Sequence, residues 1–277
     1  IQTNFQSEGQ SPVSIQVECK EALSRYSGVC MENVRVGESP EWLQQALRAI
    51  GLKPINNVVD ISNFVLHETG QPLHAFDLDK ISSGRVVLKT FPRGQHFVTL
   101  DGVQRMLQES DLMVCNGEED PMCIAGVFGG LHSGVNPETQ RIFIESARFH
   151  PTWIRKTARH HNLNTDAAFR FERGSDPEIT LYALPILDWY PDPSIWVELD
   201  YPWWKLDRLA GFTIPREDAK KILERLEIQI LSENEAGLHL RIPPFKVDVS
   251  VEQDITEEIL RIYGYNHIPI PPKISSS

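Results

Sequence analysis

The chain has 277 residues, of which 41% are hydrophobic and 23% charged, a composition typical of about two globular domains and unlike that of a disordered chain. Its 27 basic and 38 acidic residues give a net charge of −11, so any contact with nucleic acid has to come from a local basic patch. The apolar runs fall far short of the ~18 residues that span a bilayer, which excludes a transmembrane protein.

Two helices are the first elements that the sequence predicts. In the first helix, Ser39 is the expected cap, Pro40 fits the first position and Gly51 supplies the stop. A second helix is predicted from Asn57 onward, and Gly70 ends it. Both segments carry apolar residues at helical spacing, so each is expected to bury one face.

From residue 85 the period changes to that of strands. Short runs rich in β-branched and aromatic residues are separated by Gly, Asp, Asn and Pro, which predicts the strands of a sheet. A helix that begins at Pro151 comes next. The strand runs occupy residues 85–91, 96–102, 111–117 and 141–147.

A domain boundary is predicted near residues 184–195, where three prolines fall in a short span. Beyond it we expect a strand, a helix started by Thr213 and Pro215, a β-hairpin and a final helix. Ser250 and Gln253 have the spacing of a capping box for that last helix, and Gly264 is placed to end it.

The expected fold class is α+β. A mixed, β-rich sheet domain flanked by helices is predicted over residues 1–190, and a small winged-helix-like domain over residues 191–277. Both ends of the chain look cut, which predicts a fragment of a longer protein. The four cysteines form no CxxC pair, which favours reduced thiols in the cytoplasm over a zinc site or a disulfide framework.

A first candidate for chemistry lies after the second helix. His74 follows Gln71 and Pro72, and the residue before a proline is disfavoured in a helix. We therefore predict His74 on a loop, where its imidazole can face a cleft close to Ser62 and Asn63. The alternative is a structural histidine bonded to a backbone carbonyl.

Two further candidates follow in the strand region. Gly126, Gly129 and Gly130 permit positive φ and close approach of a ligand, although the stretch matches neither a phosphate loop nor a dinucleotide fingerprint, and a turn-rich loop is the alternative. Glu145 alternates with isoleucines in a strand, where a carboxylate is costly unless it is paired or positioned for a ligand. A surface salt bridge is the alternative for Glu145.

Charged residues form two local groups. Residues 148–173 make a basic patch of the kind that a phosphate backbone requires, and residues 248–258 hold four hard oxygen donors that could bind Mg²⁺ with waters and a second subunit. The alternative for these acids is stabilisation of a helix N-terminus, with Glu257 pairing with Arg261. The basic residues are Arg148, Arg155, Lys156, Arg159, Arg170 and Arg173, and the acidic ones are Asp248, Asp254, Glu257 and Glu258.

Read together, these segments resemble the β subunit of bacterial phenylalanyl-tRNA synthetases. The resemblance covers roughly residues 12–183 and 196–272, and several independent motifs follow in the order of the family. The most specific motif is LKPINNVVDISNFVLHETGQPLHAFD. The others are IAGVFGG, IFIESARFHPTWIRKTAR, LNTDAAFRFERG and IPPFKVDVSVEQDITEEILRIYGYNHIP.

The resemblance implies a division of labour in an α2β2 ligase of the cytoplasm that binds ATP, magnesium and tRNA(Phe), with no role for a membrane. Aminoacylation belongs to the α subunit, whereas the β subunit hydrolyses tyrosine wrongly esterified to tRNA(Phe). Such editing is useful because a pocket for phenylalanine rejects the extra hydroxyl of tyrosine imperfectly. A bound water, not a covalent nucleophile, is the expected attacking group.

By motif match, Glu145 is the carboxylate that accepts the phenolic hydrogen bond, and His74 orients the water or the ribose hydroxyls near the scissile ester. Ala167 has to stay small for the aminoacyl group to enter. Lys53 stands where many members have arginine, and Ser62 where many have threonine. Besides His74 and Glu145, the resemblance implies that the pocket is lined by Lys53, Ser62, Asn63, Gly126, Gly129, Gly130, Thr165 and Ala167.

The resemblance also assigns Asp248, Asp254, Glu257 and Glu258 to a Mg²⁺ site shared with the α subunit, which this chain alone is expected to bind weakly. Two other functions are open from the sequence. One is an architectural fragment that binds tRNA or the other subunit without activity. The other is a metal-dependent hydrolase unrelated to synthetases.

Overall fold

The computed structural model describes residues 10–180 and 187–267. The chain divides into two compact units, Ile1–Pro193 and Ser194–Ser277, each with its own hydrophobic core. The fold is α+β, as the sequence predicts. Residues 184–186 of the expected proline-rich boundary lie outside the described residues. Within the described ranges, no helix is long and apolar enough to cross a membrane.

The first unit is built from strands with four helices along the described chain. The helices are α1 (Glu41–Ala49), α2 (Asn57–Thr69), α3 (Pro151–His161) and α4 (Asp166–Phe171). The strands are β1 (Ser14–Val17), β2 (Leu23–Met31), β3 (Leu73–Asp77), β4 (Arg85–Lys89), β5 (His96–Val98), β6 (Gln104–Met106), β7 (Met113–Cys115), β8 (Pro121–Ile124), β9 (Phe128–Gly129), β10 (Ile142–Phe149) and β11 (Leu187–Trp189).

These strands form two main sheets and a small hairpin. One sheet is antiparallel with the order β11-β2-β10-β3, and the other has the order β1-β4-β7-β8-β9 with only β1 and β4 parallel. Strands β5 and β6 pair separately. One core cluster takes buried side chains from both main sheets, among them Tyr26, Phe76, Val87, Met113 and Phe143.

The two predicted helices near the start of the unit are present. Asn56 caps α2 by accepting hydrogen bonds from the amides of Val58 and Val59, and Gly70 ends the helix with a φ of 78°. The predicted cap of α1 is wrong, since Pro40 occupies the cap position and the Ser39 hydroxyl instead donates to Asp60 at 2.5 Å. Ser39 thereby links the N-terminal ends of α1 and α2.

Strand β10 lies at the centre of the antiparallel sheet and fixes the positions of its neighbours. Glu145 on β10 is directly opposite Gly28 on β2 and His74 on β3. His74 thus lies in a strand, and the prediction of a loop is wrong, because Gly70 ends the helix and the chain enters β3 at Leu73. The glycine-rich stretch is also a strand pair, β8 and β9, with Gly126 in the turn.

The second unit is an antiparallel sheet of the order β12-β14-β13 with helices packed on it, a winged-helix-like arrangement. Its final helix is capped by the Asp254 carboxylate, which accepts from the amides of Ser250 and Val251, so the predicted pairing of Ser250 with Gln253 is wrong. The elements are β12 (Val197–Pro202), α5 (Trp203–Ala210), α6 (Arg216–Arg225), β13 (Gln229–Glu233), β14 (Gly237–Ile242) and α7 (Glu252–Tyr263).

Candidate functional site

A cavity of about 350 Å³ opens in the first unit between α2, β3, the β8–β9 turn, β10 and the start of α4. Most of the residues proposed from the sequence for one pocket line it together, although they are spread over about a hundred positions of the chain. They are Ser62, Asn63, His74, Gly126, Gly129, Glu145, Thr165 and Ala167.

Two of the proposed pocket residues lie outside this lining. Lys53 is exposed on the segment between α1 and α2. Gly130 follows β9, where its amide donates to the carbonyl of Met122, and a Cβ there would lie 2.4 Å from that oxygen. Gly130 therefore contributes close packing of the strands, not cavity wall.

The Glu145 carboxylate is buried on the core face of the sheet, where only 5% of the residue is exposed. Its Oε2 accepts a hydrogen bond of 2.7 Å from the hydroxyl of Tyr26 on β2. The surface salt bridge considered from the sequence is thus wrong. Burial raises the pKa of Glu145 to about 7, since desolvation penalises the charged form, while the hydrogen bond from Tyr26 lowers it.

His74 presents an imidazole with an open hydrogen-bonding position. Its Nε2 atom is buried and has no hydrogen-bond partner within the described parts of the chain. The ring packs edge-on against Phe76, with 4.5 Å between the ring centroids. Burial lowers the pKa of His74 to about 4, so the imidazole is neutral near pH 7. The alternative from the sequence was a histidine bonded to a backbone carbonyl, and Nε2 makes no such bond to any described residue.

Glycines let the β8–β9 hairpin approach His74 and the core side chains of β10 and α3 closely. Gly126 has a φ of 67°, and a Cβ there would lie 2.7 Å from Phe149 and 2.8 Å from Ile154. At Gly129 a Cβ would lie 3.1 Å from Cε1 of His74 and 2.7 Å from a methyl of Leu100. The cavity therefore depends on the absence of side chains at both positions.

The far wall is the N-terminus of α4, an element that the sequence did not predict. Thr165 caps this helix by accepting from the amide of Ala168, and its hydroxyl donates to the carbonyl of Val127 in the β8–β9 turn. This pair of bonds ties the helix to the turn. Ala167 then lies in the cavity lining, where a larger side chain would reduce the space for a ligand.

The hydroxyl and thiol groups of the cavity are not arranged as nucleophiles. Ser62 donates its hydroxyl to the carbonyl of Val58 one helical turn earlier. Cys123 lines the cavity, but burial raises its pKa well above the usual range, so it stays a thiol. Neither group is oriented by a base, so neither is set up to act as a covalent nucleophile.

Sequence reasoning missed several residues of the site. Tyr26 belongs to β2, whose residues gave no clear alternation. Leu100 lies in a turn, and Asp166 is the first residue of α4. The antiparallel pairing of β2 with β10 brings Tyr26 within reach of Glu145. The signal in the sequence that could have indicated Tyr26 was a large aromatic residue in a stretch with several small ones. Asp166 lies at the cavity, 3.8 Å from His67.

The proposed basic patch is divided in the structure. Arg155, Lys156 and Arg159 are exposed on α3. Arg148 is partly buried, where it donates to the carbonyl of Ser175 and to a serine hydroxyl. Arg173 pairs with Glu172 at 2.6 Å. The solvent-facing positive charge therefore lies mainly on α3.

Two of the four acidic residues proposed as Mg²⁺ ligands, Asp254 and Glu258, bind other groups of the second unit. Glu258 is paired with Lys246 and Arg261, each at 2.8 Å, so the pairing expected for Glu257 is made by Glu258. Asp254 caps α7. Among the residues that the structure describes, no group of three or more His, Cys, Asp or Glu side chains is arranged to hold a metal ion, so these residues do not fit a Mg²⁺ site made by this chain alone.

Comparison with known proteins gives two family matches. The model described as the B3/4 domain matches residues 22–187, more than half of the chain. The model described as the tRNA synthetase B5 domain matches residues 199–265.

Curated relatives match over almost the whole chain. The phenylalanine–tRNA ligase beta subunits of Bacteroides fragilis (strain YCH46), Porphyromonas gingivalis and Carboxydothermus hydrogenoformans are 52%, 47% and 38% identical over 284, 283 and 278 residues. These alignments cover 94–96% of the chain and 34–35% of the relatives, so the chain spans about a third of the length of the curated relatives it matches.

Among solved structures, an N-terminal fragment of the phenylalanyl-tRNA synthetase beta subunit from Pyrococcus horikoshii matches with a TM-score of 0.43 and 14% identity. The match covers 92% of this chain and 76% of that one.

Proposed function

Because the chain belongs to the B3/4 domain family and continues into a tRNA synthetase B5 domain, we propose that it supplies the editing site of a phenylalanyl-tRNA synthetase β subunit. In this proposal the cavity of the first unit hydrolyses tyrosine esterified to tRNA(Phe). The observation that carries it is the meeting of Glu145 and His74, on adjacent strands, in one cavity of about 350 Å³.

Selection of the substrate rests on the buried carboxylate. A phenolic hydroxyl that enters the cavity can donate to Glu145, whereas the phenyl ring of phenylalanine leaves that carboxylate without a ligand partner. A site built to bond a hydroxyl discriminates strongly against an analogue that lacks it, because the buried polar group is then unpaired. Glu145 therefore favours the tyrosyl ester.

Hydrolysis is assigned to a water held beside the imidazole. The water oxygen adds to the ester carbonyl carbon, the bond to the ribose oxygen breaks, and that oxygen leaves with a proton, which gives free tyrosine and tRNA. With a pKa of about 4, His74 is a weak base and acts by orienting the water or a ribose hydroxyl through Nε2.

The partners follow from the same family. We propose that the chain works beside an α subunit that carries out the ATP-dependent ligation, in an α2β2 assembly that binds tRNA(Phe) in the cytoplasm. All four cysteines are free, the state expected in a reducing compartment. The Mg²⁺ site remains a proposal that needs ligands from the α subunit, since Asp254 and Glu258 already have other partners.

The test is hydrolysis of tyrosyl-tRNA(Phe) and phenylalanyl-tRNA(Phe) by the chain. The tyrosyl ester should be cleaved in preference, and His74→Ala or Glu145→Ala should reduce that cleavage about a hundredfold, the lower range for loss of a positioned catalytic group. Matched controls are His132→Ala and Glu138→Ala, which change exposed residues of the same unit away from the cavity. Binding of tRNA with cleavage of neither ester would favour the architectural alternative instead.

A further inference from the structure

Tyr26 is a buried polar residue of the site to which the proposed function gives no role. It is fully buried on β2, and its hydroxyl donates to Oε2 of Glu145 at 2.7 Å. An ionised carboxylate has two oxygens that accept hydrogen bonds. The bond from Tyr26 occupies one of them and leaves Oε1 for a ligand in the cavity.

The sheet register explains why Tyr26 is the residue that reaches the carboxylate. Glu145 lies directly opposite Gly28 on β2, while Tyr26 is opposite Ala147, two positions along. Diagonal neighbours in an antiparallel pair are within reach of an aromatic side chain. Gly28 has no side chain, and a Cβ there would lie 2.3 Å from the ring of Phe143. The diagonal tyrosine is thus the group on β2 that holds Glu145.

We propose that Tyr26 is a positioning residue that fixes the Glu145 carboxylate, so that its second oxygen accepts the hydroxyl of a phenolic substrate. Tyr26 would then set the preference for the tyrosyl over the phenylalanyl ester without touching either. This inference rests on the proposed function. Without the Tyr26 hydroxyl, the carboxylate is free to rotate and protonates more readily in its buried surroundings.

Glu145 is the group at this site whose pKa lies close to 7. Among the described residues, the titratable groups that face it are Tyr26 on β2, His74 on β3 and Cys123 on β8. Burial raises the pKa of Tyr26 and of Cys123 well above their usual ranges and lowers that of His74 to about 4. All three are therefore neutral near pH 7, close to the pKa of Glu145.

The variant Tyr26→Phe keeps the buried ring and removes the hydroxyl. Its preference for tyrosyl-tRNA(Phe) over phenylalanyl-tRNA(Phe) should fall about tenfold, the effect of one hydrogen bond to a charged group. The wild-type rate with the tyrosyl ester should fall as the pH decreases through the pKa of Glu145. In Tyr26→Phe the midpoint of that fall should move to higher pH, because a bond that favours the charged form is missing.

Two further variants separate this effect from a general loss of packing. Tyr201→Phe removes another buried hydroxyl, bonded to Thr256 in the second unit, and should change neither the preference nor the pH midpoint. Glu145→Gln should lose the preference and the acidic limb of the pH profile. Adding Tyr26→Phe to Glu145→Gln should then have no further effect on either property.

The outcomes distinguish the two proposals. If the wild type does not prefer the tyrosyl ester, the proposed function fails. If the wild type prefers it and Tyr26→Phe keeps both the preference and the pH midpoint, the role of Tyr26 alone is overturned. Should Tyr26→Phe not fold, the hydroxyl proton of Tyr26 can be followed by NMR in the wild type. Protection from solvent exchange that is lost in Glu145→Ala supports the role, and rapid exchange in the wild type contradicts it.

Discussion

At the scale of single residues, burial drives both functional groups of the cavity toward their neutral forms. Desolvation raises the pKa of Glu145 to about 7 and lowers that of His74 to about 4. An imidazole that stays neutral keeps Nε2 able to bond a water or a hydroxyl. A carboxylate close to its pKa at neutral pH makes recognition of a phenol sensitive to pH.

The raised pKa of Glu145 also predicts a pH dependence of stability. The folded state holds the proton more tightly than the unfolded chain, so the stabilisation present below pH 4.5 is lost as the pH rises through about 7. Over that interval the free energy of unfolding of the wild type should fall by about 3 kcal/mol relative to Glu145→Gln, since each pKa unit corresponds to ~1.4 kcal/mol.

Denaturant unfolding of both proteins at a series of pH values measures this difference, and the comparison cancels titrations that the two share. A difference that stays constant across the interval would show that Glu145 is ionised in the folded protein well below pH 7.

At the scale of elements, the cavity exists because the β8–β9 hairpin and the short helix α4 are packed against the antiparallel sheet that contains β3 and β10. The turn of the β8–β9 hairpin places Gly126 beside Phe149 on β10, and β9 places Gly129 beside His74 on β3. Thr165 fastens the start of α4 to the same turn. The walls therefore depend on backbone approach more than on side-chain chemistry.

Substitution of the turn glycine tests this dependence. Gly126→Ala should destabilise the protein by about 2 kcal/mol more than Gly102→Ala, since overpacking of a filled core costs ~1–3 kcal/mol. Both glycines have similar positive φ values, 67° and 74°, but a Cβ at Gly102 meets nothing within 4 Å. The control thus carries only the cost of a left-handed conformation, ~1–2 kcal/mol.

Chemical denaturation of the two variants beside the wild type gives both costs. Equal losses of stability at Gly126 and Gly102 would mean that the β8–β9 turn can move away from Phe149 and Ile154, and that Gly126 is not tightly packed against them.

At the scale of the whole molecule, an acidic chain presents local positive charge. The net charge is −11, yet Arg155, Lys156 and Arg159 are exposed together on α3. The chain matches β subunits of phenylalanine–tRNA ligases over nearly its full length, which confirms the resemblance seen in its motifs. We propose that α3 meets the phosphate backbone of the tRNA.

Neutralising these side chains should weaken tRNA binding in a salt-dependent way. Lys156→Ala and Arg159→Ala should each lower affinity for tRNA(Phe), and each should reduce the slope of log affinity against log salt by about 1. Lys80→Ala, which removes an exposed charge elsewhere in the same unit, is the control and should bind as the wild type does. Salt slopes that are the same in all four proteins would place the tRNA on another surface.

The amino-acid sequence by itself determined the helices α2 and α3, the strand runs around β4, β7 and β10, and the hairpin and last helix of the second unit. These elements follow from local signals, such as the turn glycine Gly70 and the proline at Pro151, which act within a few residues. The motifs also identified the family and eight of the twenty residues that line the cavity.

Only the tertiary structure decided how those residues meet. The strand pairing that places His74 beside Glu145, and Tyr26 diagonally across from it, is a contact between segments far apart in the chain, which local periodicity does not encode. Strand β2 gave no alternation because both of its faces are covered, and Asp254 and Glu258 took partners that spacing alone did not indicate. The ionisation of Glu145 is likewise set by burial, a property of the packed molecule.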